Sequence, residues 1–508
     1  MKRKSKQKKQ QGNLFPCSLE DVKTALSQSM NDNPDFYAKF IDISDQQRIG
    51  FYYISSITDD KVLYNQIVST LMEAKKYLDY KSIDNMIPLP EPTKEKKVDK
   101  IDDHLLQGAV CIYIENETSC VNYSIPRQES RSPEPPETES LIFGPQVAFT
   151  GSIETNVNIV RNMVDSKQLK IEKFLVGEKI PTEVQMVYLD DLANDDVINE
   201  FRNRLTGLEV EDILNSSTLS QKIEDNPYSI FPQLLVTELP DRFTYSLKEG
   251  KIGVLVDNSH TSIIGPITFT SFFESTEDLY SRWTIGAFIR LMRIMAMVLS
   301  ISMTPLYVAA LTYHYEVIPE ALLLALGESR SRVPFPPLFE TLLLETLMEF
   351  IREAGARLPT KVGQTMGIVG GIVVGQAVVQ AGFTSNILII LVALSALASF
   401  TTPSYLMGSA LRIVRFSIIL ISGVFGFVGF FFAMAFILIH LLRLRSLELP
   451  YTAPFYPFQY KDLDESLIRL PYVLDRNRAK SNLPKKVGRN ASRSQHPIFR
   501  TSKKDIDE

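Results

Sequence analysis

The sequence predicts a two-part protein, in which a soluble α/β N-terminal half of two subdomains is followed by a polytopic α-helical membrane domain. The first half, to about residue 282, is polar and mixes strand-like with helix-like patterns. From Met366 to Phe400 no residue is charged, and only the turn-like segment 381–386 breaks this run. Two helices of about 17–20 residues joined there would each approach the length that crosses ~30 Å of hydrocarbon.

The composition of the whole chain hides this division. The 508 residues have a net charge of −5 and are 45% hydrophobic, which by itself is typical of a soluble protein. The N-terminus MKRKSKQKKQ is basic, but no apolar segment follows it, so it lacks the pattern of a secretory signal peptide. Cys17, Cys111 and Cys120 show neither disulfide nor metal-ligand spacing and are expected to be reduced thiols.

The first α/β subdomain is predicted at 14–126, after a basic, disordered N-terminus at 1–13. Its predicted elements are a helix from Ser18 to about Met30, strands at 36–43 and 48–57, a helix at 61–77, and a hairpin of 105–115 with 120–125. A linker at 127–140 follows. It is charged, contains three prolines and has no apolar period, so it cannot build a core.

The second α/β subdomain is predicted at 141–282. Its predicted elements are helices at 152–164 and 195–205, strands at 170–176 and 183–189, and short apolar runs at 233–238 and 251–256. Strands that alternate with helices indicate mixed α/β packing. The sequence leaves the order of the strands open.

The membrane domain is predicted at 283–445, with a basic C-terminal tail at 446–508. About four spans are expected, at 294–314, 365–382, 386–402 and 416–442. The last run exceeds a perpendicular span and is expected to tilt or to emerge from the bilayer. Basic residues flank both ends of the domain, so the positive-inside rule places both termini in the cytoplasm and requires an even number of spans.

One helix of this domain, at 338–354, is unusually charged. Glu345, Glu349 and Arg352 are spaced at helical intervals, and Glu349 can pair with Arg352 three residues later. Ionisable side chains in a membrane domain usually face a cavity or a partner. These three residues, together with Arg293 in the first span, are therefore candidates for a charged vestibule. The alternative is that the helix lies at the membrane interface and its charges are ordinary.

The helix before the 381–386 turn combines a small face with a partly polar one. Glycines at four-residue intervals indicate close packing against another helix: Gly367, Gly371 and Gly375. An adjacent face supplies the candidates for pore lining and gating: Val369, Ile372, Gln376 and Gln380. An amide in hydrocarbon needs a partner or water, so the two glutamines indicate either a hydrated path or hydrogen bonds between helices.

The sequence contains no recognisable catalytic constellation. It has no phosphate-binding loop, no zinc-protease motif, no nucleophile elbow and no paired Cys-x-x-Cys, and its five histidines are scattered. We therefore expect no enzymatic activity, no bound cofactor or metal, and no nucleic-acid partner.

Several long motifs, in order, closely resemble the A subunit of the spore-germination receptors of the GerA family. They include EPPETESLIFGPQVAFTGSIETNVNIVRN, PFPPLFETLLLETLMEFIREAGARLP, VGQTMGIVGGIVVGQAVVQAG and ASFTTPSYLMGSALRIVRF. The resemblance covers about residues 130–457. Phe143 departs from it, since the family usually has a basic residue before this Gly-Pro.

The resemblance implies a multi-pass protein of the spore inner membrane that acts with a transporter-like B subunit and a lipoprotein C subunit. It also implies that A subunits form a homo-oligomeric, nutrient-gated ion channel, with germinant recognition mostly in the B subunit. The alternative class is a secondary transporter or permease that moves a solute itself. Four spans, the lack of a visible inverted repeat and a soluble half of about 280 residues make it the weaker interpretation.

Overall fold

The first half of the chain folds into two five-stranded antiparallel sheets with helices on their faces, and the second half is helical. This confirms the predicted fold class. The structure is a computed structural model that describes residues 18–44, 47–74, 78–127, 135–137, 139, 143–357, 375–460, 462–463, 469, 471 and 477–489.

The first α/β unit is built around a sheet of strand order β1-β2-β4-β5-β3. Its elements are α1 (Leu19–Ser29), β1 (Phe36–Ser44), β2 (Gln47–Ile54), α2 (Asp60–Val62) continuing through a π-helical turn (Leu63–Val68) into α3 (Ser69–Glu73), α4 (Tyr80–Met86), β3 (Thr93–Glu95), α5 (Val98–Leu106), β4 (Ala109–Ile114) and β5 (Cys120–Ser124). Because side chains alternate along a strand, Phe51 and Tyr53 pack into one core while Tyr52 and Ile54 pack into the core on the other face.

The second α/β unit has a sheet of strand order β6-β7-β9-β10-β8. Its elements are α6 (Ile153–Met163), β6 (Leu169–Val176), β7 (Thr182–Leu189), α7 (Asp195–Thr206), α8 (Ser216–Ile223), β8 (Leu235–Thr237), α9 (Pro240–Lys248), β9 (Ile252–Val256) and β10 (Ser262–Gly265). In chain order, both sheets are arranged first-second-fourth-fifth-third. The two units therefore repeat one topology, which the sequence had left open.

A buried ion pair joins the two units. Arg161 of α6 donates from Nη2 to Asp35 Oδ2 at 2.6 Å, and its Nε donates to Ser56 Oγ at 2.9 Å. Ser55 Oγ donates to Asp35 Oδ1 at 2.7 Å. Both oxygens of this carboxylate thus have hydrogen-bond partners, and we call this pair with its serines the joint between the units.

The second half consists of helices that pack on one another and on the second α/β unit. They are α10 (Glu277–Tyr280), α11 (Trp283–Tyr313), α12 (Glu320–Arg330), α13 (Pro337–Arg357), α14 (Gly375–Gln380), α15 (Asn386–Phe400) and α16 (Tyr405–Arg443). Among the described residues, α11 and α16 are long and apolar enough to cross a membrane, and α15 is apolar but shorter.

The element α16 is a helical hairpin. Gly426 has φ 63° and ψ −145°, far from helical values. A Cβ built on Gly429 would lie 2.6 Å from the Ile421 carbonyl oxygen, whereas eight residues of one straight helix span about 12 Å. The prediction of a single span at 416–442 is therefore wrong. The chain reverses direction at Gly426, and this reversal divides α16 into two arms, at 405–425 and 427–443.

The charged helix α13 packs one face into the helical bundle and leaves the other exposed. Its buried residues include Glu340, Thr341, Leu344 and Glu345. The neighbouring helices thus shield the carboxylates of Glu340 and Glu345 from solvent. The predicted turn at 381–386 is present between α14 and α15.

After α16 the chain returns to the second α/β unit. Arg445–Ser446 and Leu449–Pro450 form the short strands β11 and β12, and Leu447 and Tyr451 are buried in the cores of that unit. Ser446 Oγ donates to the Gln233 carbonyl at 2.6 Å. The packed chain thus extends past the predicted boundary at residue 446.

Candidate functional site

The charged residues predicted on α13 belong to a buried ionic cluster. Glu345, Glu349 and Arg352 lie on one face of α13, opposite Arg412 and Arg415 on the first arm of α16. Helical spacing explains both sets, because residues three, four and seven apart share a face. We call these five residues the ionic cluster.

Four ion pairs connect the members of the cluster. Arg415 Nη2 lies 2.8 Å from Glu345 Oε2 and 3.8 Å from Glu349 Oε1. Arg412 Nε lies 3.5 Å from the same Glu349 oxygen. Arg352 Nη1 lies 3.3 Å from it, as the spacing of these two residues predicted. Glu349 is therefore shared by three arginines.

Serine hydroxyls extend the cluster to two further helices. Arg415 Nη1 donates to Ser395 Oγ at 2.7 Å, and Ser395 Oγ donates to the Ser300 carbonyl of α11 at 2.9 Å. Arg352 Nη2 donates to Ser399 Oγ at 3.1 Å. The guanidinium of Arg352 also lies 4.5 Å from the ring centre of Phe400. The cluster therefore connects α11, α13, α15 and α16.

The cluster is incompletely satisfied. Two carboxylates face three guanidinium groups, which leaves one positive charge in excess. The side chains of Glu345 and Arg415 are 0% and 1% exposed. Among the described residues, no well-aligned hydrogen bond reaches either carboxylate oxygen of Glu345 or Nε of Arg415. Buried polar networks of this kind are costly unless every group is paired, so this arrangement is sensitive to any displacement of its helices.

The predicted vestibule residues thus fall into two places. Glu345, Glu349 and Arg352 are together, but in this conformation the arginines neutralise both carboxylates and Glu345 is closed to water. Arg293 is separate from them. Its Nη1 lies 2.9 Å from Asp278 Oδ2 and donates to the Phe273 carbonyl at 3.3 Å, which ties α11 to the loop that follows the second α/β unit.

The carboxylate of Glu340 is also buried, and the sequence analysis did not single it out. Glu340 Oε1 accepts from the Ser385 amide at 2.6 Å and from Thr384 Oγ1 at 3.1 Å, and Oε2 lies 3.5 Å from Arg330 Nε. Glu340 thereby holds the turn between α14 and α15 against α13. The available signal was an acidic residue in a largely apolar helix. Arg412 and Arg415 could have been found from their own three-residue spacing, which places both on one helical face.

Only part of the predicted gating helix is described. Val369, Ile372, Gly367 and Gly371 lie outside the described residues. Gln376 and Gln380 are exposed on α14, and neither hydrogen-bonds to a described residue. A Cβ built on Gly375 would meet no atom within 4 Å. Among the residues that the structure describes, none covers this face of α14.

The fold and the cluster define a class of protein in which an α/β half of two units is fused to an apolar helical domain that contains buried charges. Within that class, the chain belongs to the GerA family of spore germination proteins. The family model described as "Bacillus/Clostridium GerA spore germination protein" matches residues 24–481.

Named relatives agree with this assignment. The chain is similar to "Spore germination protein GerQA" of Bacillus cereus, with 41% identity over 89% of this chain and 90% of the relative. It is also similar to "Spore germination protein KA" of Bacillus subtilis (strain 168), with 33% identity over 94% and 88%.

Among solved structures, the N-terminal domain of the A subunit of the Bacillus megaterium spore germinant receptor GerK3 matches 51% of this chain and 98% of its own length. The identity is 22% and the TM-score is 0.40. This TM-score is too low to transfer any property of that domain to this chain.

Proposed function

We propose that this protein is the A subunit of a nutrient germinant receptor in the spore inner membrane, and that several copies form an ion channel that germinant opens. The observation that carries the proposal is the family match over 24–481. The ionic cluster supports a moving role for the helical half, since a simple anchor needs no buried charges in its bundle. We assign the protein no catalytic step.

The partners in this proposal are a transporter-like B subunit and a lipoprotein C subunit. Both ends of the helical domain lie on the side of the α/β half, which supports cytoplasmic termini and an even number of crossings. The reversal at Gly426 adds one crossing to the predicted four, and α13, which is 21 residues long and packs against α11, α15 and α16, adds another. We therefore propose six crossings. One of them is the predicted span 365–382, most of which lies outside the described residues.

The gate is assigned to the helix from Met366 to Ala381, at the axis of the oligomer. Val369 and Ile372 close the path by dewetting, and Gln376 and Gln380 solvate ions once it widens. Both glutamines are exposed with respect to the described part of the chain, which supports a position between protomers. Close contact along Gly367, Gly371 and Gly375 would bring neighbouring helices together there.

The ionic cluster acts as a latch in this scheme. It holds α13 and the first arm of α16 together in the closed state, and the B subunit supplies the differential binding free energy that favours the open state. Opening would separate Glu345 and Glu349 from their arginines. The two carboxylates then face the water-filled vestibule that the sequence predicted.

Reconstitution of the A, B and C subunits tests this function. We expect germinant-dependent ion conductance without saturable uptake of solute. Val369→Ala or Ile372→Ala should raise the conductance that is present without germinant, and spores with either variant should leak ions. Leu397→Ala is the matched control, because Leu397 is an exposed apolar residue of α15. Saturable solute uptake would instead favour the transporter alternative. If spores that express Val369→Ala or Ile372→Ala at the wild-type level stay normally dormant, this helix is not the gate.

A further inference from the structure

An apolar groove of about 700 Å³ lies where the second α/β unit meets the α16 hairpin. Both arms of the hairpin line it, together with Tyr228, Ile230 and Phe231 of the loop at 226–232. Its only polar lining side chains are Tyr228, Ser417 and His440. A groove of this composition suits a hydrocarbon chain and offers little to a polar ligand.

The loop is fastened to the second arm of α16. Ser229 Oγ and His440 Nε2 share a hydrogen bond of 3.0 Å, and the rings of Phe231 and His440 are 6.0 Å apart. Phe231 is buried, whereas Tyr228 is 95% and Ile230 is 50% exposed. The loop thus buries one aromatic residue to hold its position and presents two large side chains at the mouth of the groove.

Two cations follow the groove along the chain. Arg443 lies three residues after His440 and therefore on the same helical face, one turn closer to the α/β half. Arg445 follows at the start of β11. Both are exposed, and neither forms an ion pair with any residue that the structure describes. The groove is therefore lined mainly by apolar side chains, and the chain carries two positive charges just beyond its lining residue His440.

We propose that this groove binds one anionic phospholipid, with the headgroup phosphate at Arg443 and Arg445 and one acyl chain along the second arm toward Phe432. The proposal rests on the membrane placement given above. Eleven residues separate Arg443 from Phe432, a rise of about 16 Å, which is close to the ~15 Å of hydrocarbon in one leaflet. Phe432 and Phe436 are 73% and 74% exposed on this arm, as lipid-facing residues are. Tyr228 lies at the headgroup level, where tyrosine is enriched.

A helix of another subunit is the competing occupant. It would cover the apolar walls equally well, but it would have to bring acidic groups to Arg443 and Arg445. A phospholipid supplies the anion and the hydrocarbon chain in one molecule, at the separation that the groove has. Charge complementarity and length therefore both favour the lipid.

Quenching by brominated lipid tests the proposal in the full-length chain. The single tryptophan, Trp283, is replaced by Phe, and Tyr228→Trp serves as the reporter. Nanodiscs contain phosphatidylcholine and phosphatidylglycerol in a fixed ratio, with bromine on the acyl chains of only one of them. We expect stronger quenching from brominated phosphatidylglycerol, with about a fivefold preference, the equivalent of ~1 kcal/mol for a basic residue near an anionic surface.

Arg443→Gln should abolish this preference and Arg443→Lys should retain it. The control is Arg282→Gln, an exposed arginine at the start of α11, which should leave the preference unchanged. Equal quenching by both lipids that is insensitive to Arg443→Gln would overturn the lipid site while leaving the membrane placement intact. No quenching by either lipid would overturn the membrane placement itself. Loss of quenching only when the B subunit is present would assign the groove to that protein.

Discussion

Two of the buried ionic sites of this molecule, the Asp35–Arg161 pair between the α/β units and the ionic cluster inside the helical half, are built differently. At the first, Asp35 faces a single arginine, and its remaining acceptor sites are filled by serine hydroxyls. Burial by itself would raise the pKa of the Asp35 carboxyl, but the charge of Arg161 and the hydrogen bonds from Ser56 and Ser55 lower this pKa below its usual value. The charges balance, and the carboxylate is held in one arrangement.

At the second site the charges do not balance. Glu349 is shared by three arginines at 3.3 to 3.8 Å, and the Glu345 carboxylate lacks aligned hydrogen bonds among the described residues. A fully paired site has one favourable geometry and so fixes two units rigidly. A surplus charge with unfilled hydrogen bonds leaves other arrangements near in free energy, which is what a bistable element needs. The first site is therefore suited to a rigid joint, whereas the second has the surplus charge that the proposed latch requires.

The largest expected effect is at the joint. Asp35→Ala leaves Arg161 buried without its partner, so the free energy of separating the two units should fall by about 3–5 kcal/mol. Native-state hydrogen exchange of the α6 amides in the full-length chain measures it. The control is Asp42→Ala, whose ion pair with Arg48 is 75% and 50% exposed and should contribute less than ~1 kcal/mol. Similar effects of the two variants would mean that the joint is no stronger than a surface pair.

At the ionic cluster we expect a smaller effect on stability, together with a measurable effect on channel gating. Glu345→Gln removes the closest ion pair of the cluster and leaves the buried Arg415 with the longer pairing to Glu349 at 3.8 Å. We expect a loss of at least ~1.4 kcal/mol, which is smaller than at the joint, where Arg161 loses Asp35. Conductance without germinant should therefore rise by at least about tenfold. Glu353→Gln is the matched control, because Glu353 lies on the same helix and pairs with Arg357 in an exposed position. Wild-type gating in Glu345→Gln, with normal assembly, would place this cluster with the joint as a purely structural site.

The smallest expected effect is the change with pH in the stability that the joint contributes. Near neutral pH this contribution does not change, because Asp35 is ionised in both the folded and the unfolded chain. The pKa of Asp35 is lower in the folded protein than in the unfolded chain, so its stabilisation is complete above the unfolded pKa of about 3.9 and is lost as pH falls through the folded value. Protection of the α6 amides should therefore fall below about pH 4. Asp35→Asn should flatten this part of the profile, and an unchanged profile in that variant would assign the acid sensitivity to other carboxylates.

Much of the local structure could be read from the sequence because it depends on near neighbours. Strands β6 and β7, helix α7, the turn at 381–386 and the pairing of Glu349 with Arg352 all follow from spacing within a few residues. The prediction was less accurate where one apolar run crosses an element boundary. Residues 105–115 were predicted to be a strand, but Leu105 and Leu106 end α5 and the strand begins at Ala109.

Only the α13 members of the ionic cluster could be predicted from the sequence. The sequence showed that α13 carries charges on a helical face, but its partners Arg412 and Arg415 lie about sixty residues further along the chain. Which of several arginines would meet Glu345 depends on how α13 packs against α16, and no local pattern encodes that packing. The reversal at Gly426 was missed for a related reason, since glycine is common inside membrane helices and does not by itself mark a break.

The division into a polar α/β half and an apolar helical half could be predicted from the amino-acid sequence, since both follow from composition and period along the chain. So could the family, through long motifs in a fixed order. The repeated strand order of the two units, the hairpin in α16 and the membership of the ionic cluster became visible only in the folded protein. These features join residues that are far apart in sequence, and their free energies depend on burial and charge pairing that exist only after the helices and sheets have packed.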